Sequence, residues 1–262
     1  CASSDSGERG MAIQRIRILG VPVDICRPEQ LEGEIMELMA KSGKKQIVFL
    51  TVWKLLKARN KKSVFSKCLE EADLILPVSK SIIMAAHFLK CPTLHRYNPF
   101  NAVIQILTIL ERHVRSLYLL GGRKRTLMQT ERNIISTFRA LQIVGRYVGY
   151  YPKSVENDIV KAIFKASPSL VILSEGVRGK DNWPYLRKEE FSSSIFLYYR
   201  DIFGIFSARK RRVSEEAFDK GLEVWDEIFH NPFKIFLILP YFKFMIILLF
   251  HKLFRKNEYI NF

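Results

Sequence analysis

Cysteine is scarce in this chain and does not cluster. Cys1, Cys26, Cys68 and Cys91 stand far apart, with no C-x-x-C pair. Such spacing argues against a disulfide framework and a thiolate zinc site, and it fits a reducing compartment. The five histidines (His87, His95, His113, His230 and His251) show no H-x-x-x-H or comparable spacing, so no metal site is expected. The G-x-G-x-x-G dinucleotide fingerprint is missing as well. Acids are few against bases, 26 Asp and Glu facing 42 Lys and Arg, for a net charge of +16. An excess of that size concentrates polyanions: nucleic acid, phospholipid head groups or phosphorylated substrates.

What is present suits one large domain or one domain with an appendage. The 262 residues are 48% hydrophobic, enough to bury a core without covalent staples. Residues 1–10, CASSDSGERG, are small and polar, and they read as a flexible leader ahead of Met11. Five apolar runs follow: Ile47–Leu50, Leu74–Leu76, Leu117–Leu120, Leu170–Leu173 and Ile195–Tyr199. They are continuous rather than alternating, as parallel strands covered on both faces would be. Helical stripes lie between them. One spans 28–41, opened by Pro28. Another runs Phe100, Val103, Ile104, Leu107 and Leu110, and a third Val155, Ile159, Ala162, Ile163 and Ala166. The alternation predicts an α/β fold, a Rossmann-like doubly wound and mostly parallel sheet over 11–208, with a helical C-terminal appendage over 209–262.

In such sheets ligands lie outside the carboxyl ends of the strands, where loop amides and helix N-termini converge. That rule selects Thr51 and Trp53, Val78 to Lys80, Gly121 to Lys124, Glu175 to Lys180, and Arg200-Asp201. Leu119-Leu120-Gly121-Gly122 before a basic helix start suits either a phosphate approach or an ordinary tight turn. Arg209-Lys210-Arg211-Arg212 suits a diphosphate, anionic lipid or a solvated turn. Nucleic acid is disfavoured, because no aromatic stacking platform or helix-turn-helix pattern accompanies the charge. Residues 233–254 are strongly apolar, but Lys234, Lys243, His251 and Lys252 interrupt them and Pro240 divides them. Charges so placed oppose a membrane span and favour a segment lying in the interface. A pair of helices packed on the domain or on a second subunit is the other reading.

The order of several motifs resembles the WecG/TagA/CpsF glycosyltransferases. Ile18-Leu19-Gly20-Val21-Pro22-Val23-Asp24 is similar to the family's opening. Thr51, Glu71 to Pro77, Leu119 to Gly122, Gly149-Tyr150-Tyr151, Gly176 with Trp183, Arg211-Arg212 and Gly221-Leu222-Glu223 follow in the family's order. The resemblance runs from about residue 16 to 232. It implies an inverting, metal-independent transfer of an N-acetylmannosamine-type sugar from a UDP donor to an undecaprenyl-diphosphate-linked acceptor. It also implies a cytoplasmic bacterial protein peripheral on the inner face of the membrane, with nucleotide-sugar, polyprenyl-linked glycan and anionic lipid as partners. By the same resemblance Thr51, Gly121, Gly122, Tyr150, Gly176, Arg211 and Arg212 bind substrate.

Several positions depart from the family's pattern. Its Pro-Asp-Gly motif reads Pro77-Val78-Ser79, and valine cannot accept a proton. The threonine-x-asparagine motif reads Thr51-Val52-Trp53, a second family aspartate reads Asn101, and a late arginine reads Glu227. Two accounts follow. In one, another acid serves as base, Glu175 first and Asp201 next. In the other, the chain keeps the fold as a non-catalytic binding or scaffold protein. The sequence leaves the oligomeric state open.

Overall fold

The computed structural model describes residues 13–222 and 238–254. The leader, Glu223, Glu227 and the start of the apolar tail at 233–237 fall outside the described residues.

The chain opens with an antiparallel hairpin, β1 (Gln14–Ile18) and β2 (Val21–Ile25). The hairpin is tied to the main sheet by the buried Asp24. Its carboxylate accepts two bonds from the Arg15 guanidinium, at 2.6 and 2.9 Å, and one from the Ile75 amide at 2.7 Å. Burying a carboxylate requires such saturation. Helix α1 (Leu31–Ala40) begins three residues after Pro28, because residues 27–31 form a turn in which Gln30 N–H donates to Arg27 O and Leu31 N–H to Pro28 O.

Six parallel strands make the main sheet: β3 (Lys45–Leu50), β4 (Leu74–Pro77), β5 (Ser116–Leu120), β6 (Gln142–Tyr147), β7 (Leu170–Leu173) and β8 (Ile195–Tyr198). Their spatial order is β4-β3-β8-β7-β5-β6. All five predicted runs are strands. β6 is additional; it lies at the sheet edge and is largely exposed, so it lacks a continuous apolar run.

The helices are α2 (Val52–Ala58), α3 (Val64–Glu70), α4 (Lys80–Phe88), α5 (Pro99–Arg112), α6 (Lys124–Thr137), α7 (Glu156–Ala166), α8 (Asn182–Tyr185) and α9 (Ile202–Phe206), then α10 (Glu215–Lys220) and α11 (Leu239–Phe254). Alternate side chains of each strand enter opposite cores. Ile47, Phe49, Ile195 and Leu197 pack with α1, α5, α6 and α9. Val48 and Leu50 pack with α2, α3, α4 and α11, while Phe196 and Tyr198 pack with α7 and Trp183. This is the three-layer arrangement the continuous apolar runs require.

One consequence positions the site. The helix after β3 (α2) covers one face, through Val52, Leu55 and Ala58, and the helix after the neighbouring β8 (α9) covers the other, through Ile202 and Phe203. Adjacent strands whose helices diverge leave a crevice at their carboxyl ends.

Candidate functional site

That crevice holds a cleft of about 620 Å³. Its floor comes from the ends of three strands: Thr51 after β3, Val78 and Ser79 after β4, and Tyr199 to Asp201 after β8. The start of α5 (Asn98 to Phe100) forms one wall. The segment Lys210 to Val213, with Phe218 of α10 and Tyr241 of α11, closes over it.

Each polar group has an identifiable seat. Thr51 Oγ1 caps α2 by accepting from Lys54 N–H at 3.2 Å, which leaves its own hydroxyl proton free to donate. Ser79 Oγ accepts from Val52 N–H at 3.3 Å. Tyr199 stays protonated far above the usual phenol range, first through burial and then through the charge of Asp201, so it enters the cleft as a donor.

The cations of the closing segment are held by acids and amides. Lys210 Nζ pairs with Asp201 and, at 3.3 Å, with Glu175. Burial pulls the Lys210 ammonium down, but the hydrogen bond and charge of Asp201, with those of Glu175, outweigh it and raise its pKa above the lysine norm. Gly204 makes this geometry feasible, since a Cβ there would sit 2.7 Å from Lys210 Cδ. Arg212 donates to Asn101 Oδ1 at 2.6 Å and to Glu215 at 2.9 Å, and its guanidinium lies 4.9 Å from the Phe100 ring centre. Asn101 thus receives the arginine bond that an aspartate there would also receive. Among the described residues no hydrogen-bond partner meets the buried Arg212 Nε–H. Helix α10 buries none of its side chains. Instead Arg96 donates to Phe218 O and Lys80 to Asp219 O at 2.9 Å, cations at the carbonyl end where the helix dipole favours them.

Of the residues expected from sequence, Thr51, Asp201, Arg211 and Arg212 line this cleft. Val78 lines it too, at the position where the family pattern has aspartate. Glu175 stands beside it, joined to Asp201 through Lys210. Gly121, Gly122, Tyr150 and Gly176 gather instead over the ends of β5, β6 and β7. There the Gly121 amide donates to Tyr147 O and the Gly122 amide to Glu175 O, so neither is free for a phosphate. The Tyr150 ring lies against Gly176 and beneath the Arg123 guanidinium, 5.6 Å away. The strand-end rule selected Trp53 by position although the family resemblance gave it no binding role, while Tyr199 entered only as the end of an apolar run and Lys210 as one of four bases. Their signal was position just beyond a strand end.

Among the described residues, no group of three or more His, Cys, Asp or Glu side chains is placed to hold a metal ion. No described helix is long and apolar enough to cross a membrane. The tail is helical over Leu239–Phe254, with Pro240 at its second residue, where a missing amide costs little. Phe244 and Leu248 bury themselves in the core beside α2. Phe242, Met245, Ile246, Leu249, Phe250 and Leu253 remain exposed.

Comparison with known proteins completes the picture. The family model described as "Glycosyl transferase WecG/TagA/CpsF family" matches residues 16–258. Relatives from Staphylococcus aureus strains NCTC 8325 and COL carry the name N-acetylglucosaminyldiphosphoundecaprenol N-acetyl-beta-D-mannosaminyltransferase. Each is 19% identical over 199 residues, covering 76% of this chain and 78% of the relative. A match over residues 16–258, nearly the whole chain, places it: the chain belongs to the WecG/TagA/CpsF glycosyltransferase family.

Proposed function

We propose that the chain is an inverting, metal-independent glycosyltransferase. It transfers an N-acetylmannosamine-type sugar from a UDP donor to an N-acetylglucosaminyl-diphosphate-undecaprenyl acceptor at the inner face of the bacterial cytoplasmic membrane. The observation that carries the reading is a carboxylate, Asp201, in a strand-end cleft closed by Arg211 and Arg212. Asp201 takes the proton of the acceptor hydroxyl as that oxygen attacks the anomeric carbon. The bond to UDP breaks on the opposite face, and the leaving diphosphate is met by the arginines and by the Tyr199 hydroxyl. Glu175, held to the same ammonium, supports Asp201 rather than replacing it. Incubation with UDP-N-acetylmannosamine and a lipid-diphosphate acceptor tests the reading. Transfer with an inverted anomeric centre is the expected outcome. No turnover combined with no UDP binding by calorimetry overturns it.

Val78 favours a second reading, in which the chain binds these ligands without catalysis. Tight UDP binding with no transfer would select that reading.

The membrane contact falls to α11. Its exposed apolar side chains recur at helical spacing, while Lys243 and Lys252 flank them, the pattern of a helix lying in the head-group region. Because Tyr241 of the same helix lines the cleft, a lipid-linked acceptor reaches it without leaving the surface. The full-length chain is expected to sediment with anionic vesicles, and a variant carrying Phe242→Ser, Leu249→Ser and Phe250→Ser to stay in the supernatant. Equal sedimentation of the two would contradict this assignment.

A further inference from the structure

The cleft contains five large aromatic side chains, and four of them are engaged. Phe100 packs on Phe206 with ring centres 5.5 Å apart, and Tyr199 on Phe49 at 6.0 Å. Phe218 lies 3.7 Å beneath the Arg96 guanidinium, and Tyr241 packs against the core beside α2. Trp53 is different. It occupies the first turn of α2, two residues after Thr51, lines the cleft and remains 51% exposed. Among the described residues no ring, cation or hydrogen-bond partner meets its indole. Its neighbours on α2, Val52 and Leu55, are fully buried, so the helix is anchored without it.

An unpaired indole at the lip of a polar cleft has a specific chemical complement. A pyranose ring presents a flat face of C–H groups and a rim of hydroxyls. The face covers apolar surface, and the rim needs hydrogen-bond partners roughly in the ring plane. Thr51, Ser79, Asn98 and Asp201 supply such groups in the lining of the same cleft. We propose that Trp53 is a stacking platform for a pyranose ring of one of the two sugar substrates. It does so at a position where the family pattern has an amide that would instead hydrogen-bond. Trp53 thereby determines which sugar is held and touches no bond that breaks. The proposal rests on the transferase reading only for the identity of the sugars.

The test measures binding and turnover separately on the full-length protein and on Trp53→Ala and Trp53→Phe. Binding is read by saturation-transfer NMR with UDP-N-acetylhexosamine and with a short-chain prenyl-diphosphate N-acetylhexosamine. Trp53→Ala should weaken one of them about 10- to 30-fold, the scale of truncating an aromatic anchor, and Trp53→Phe should restore most of it. In the transfer assay the KM for that same sugar rises while kcat changes far less, and the substrate affected tells donor from acceptor. If no transfer occurs but binding follows this pattern, the platform stands and the transferase reading falls. Unchanged binding of both ligands in Trp53→Ala overturns the platform. A variant that loses only vesicle sedimentation also overturns it, marking Trp53 as a lipid anchor. So does Phe behaving no better than Ala.

Discussion

The carboxyl edge of the sheet is built in two unlike halves. Over β4, β3 and β8 it is open, lined by Thr51, Ser79, Tyr199 and Asp201, and closed by a segment held almost wholly through polar contacts. Over β7, β5 and β6 it is shut, with loops packed so tightly that a Cβ on Gly149 would stand 2.2 Å from Glu175 O and one on Gly121 2.7 Å from Ser174 Cβ. The difference has a topological origin. Where α2 and α9 diverge from adjacent strands the backbone leaves room, and where loops meet glycine to glycine it leaves none. Glycine at a strand end is therefore not by itself a sign of ligand access. In this chain it marks close backbone packing, and the open half is marked by hydroxyls, one acid and cations held by acid and amide partners.

The largest effect should come from separating the two acids that Lys210 joins. Asp201 faces the cleft and Glu175 belongs to the loop of the closed half. Loss of a positioned proton acceptor lowers turnover about 10²- to 10⁴-fold, which is the expectation for Asp201→Asn in the transfer assay. Glu175→Gln keeps the loop and removes only one partner of Lys210, so its turnover should stay within about tenfold of the parent, on the scale of a partly exposed ion pair. If Glu175→Gln is the more damaging of the two, the chemistry sits at the boundary of the halves and the assignment of Asp201 is lost.

Much of this architecture was legible in the sequence because the forces behind it are local and repetitive. A strand buried on both faces must be continuously apolar, so Ile47–Leu50 and Leu170–Leu173 announced themselves. β6 did not, because half of an edge strand meets water, and Gln142, Gly145 and Arg146 break the run. The hairpin was recognised as a motif but not as two strands, since its closure depends on the Asp24 bonds to Arg15 and Ile75, 9 and 51 residues away. The site was legible in part for the same reason. Position beyond a strand end found Thr51 and Asp201. The link between Lys210, Asp201 and Glu175 depends on the side chain crossing Gly204, which no spacing reveals.

The smaller effect concerns the closed half, and Gly149→Ala probes it directly. The added methyl would meet backbone on three sides: Glu175 O at 2.2 Å, Gly121 Cα at 2.9 Å and Gly122 N at 3.0 Å. Backbone cannot swing aside as a side chain can, so the loops must separate, at the cost of about 1–3 kcal/mol typical of overpacking. For a domain of this size each kcal/mol lowers Tm by about 2–4 °C, which thermal unfolding resolves. If the closed half serves packing alone, the folded variant should keep the parent's donor KM within a few-fold. A donor KM raised more by Gly149→Ala than by Asp201→Asn would mean that the nucleotide is seated over β5 and β6. The open cleft would then belong mainly to the acceptor, and the two halves would be two substrate sites rather than a site and its support.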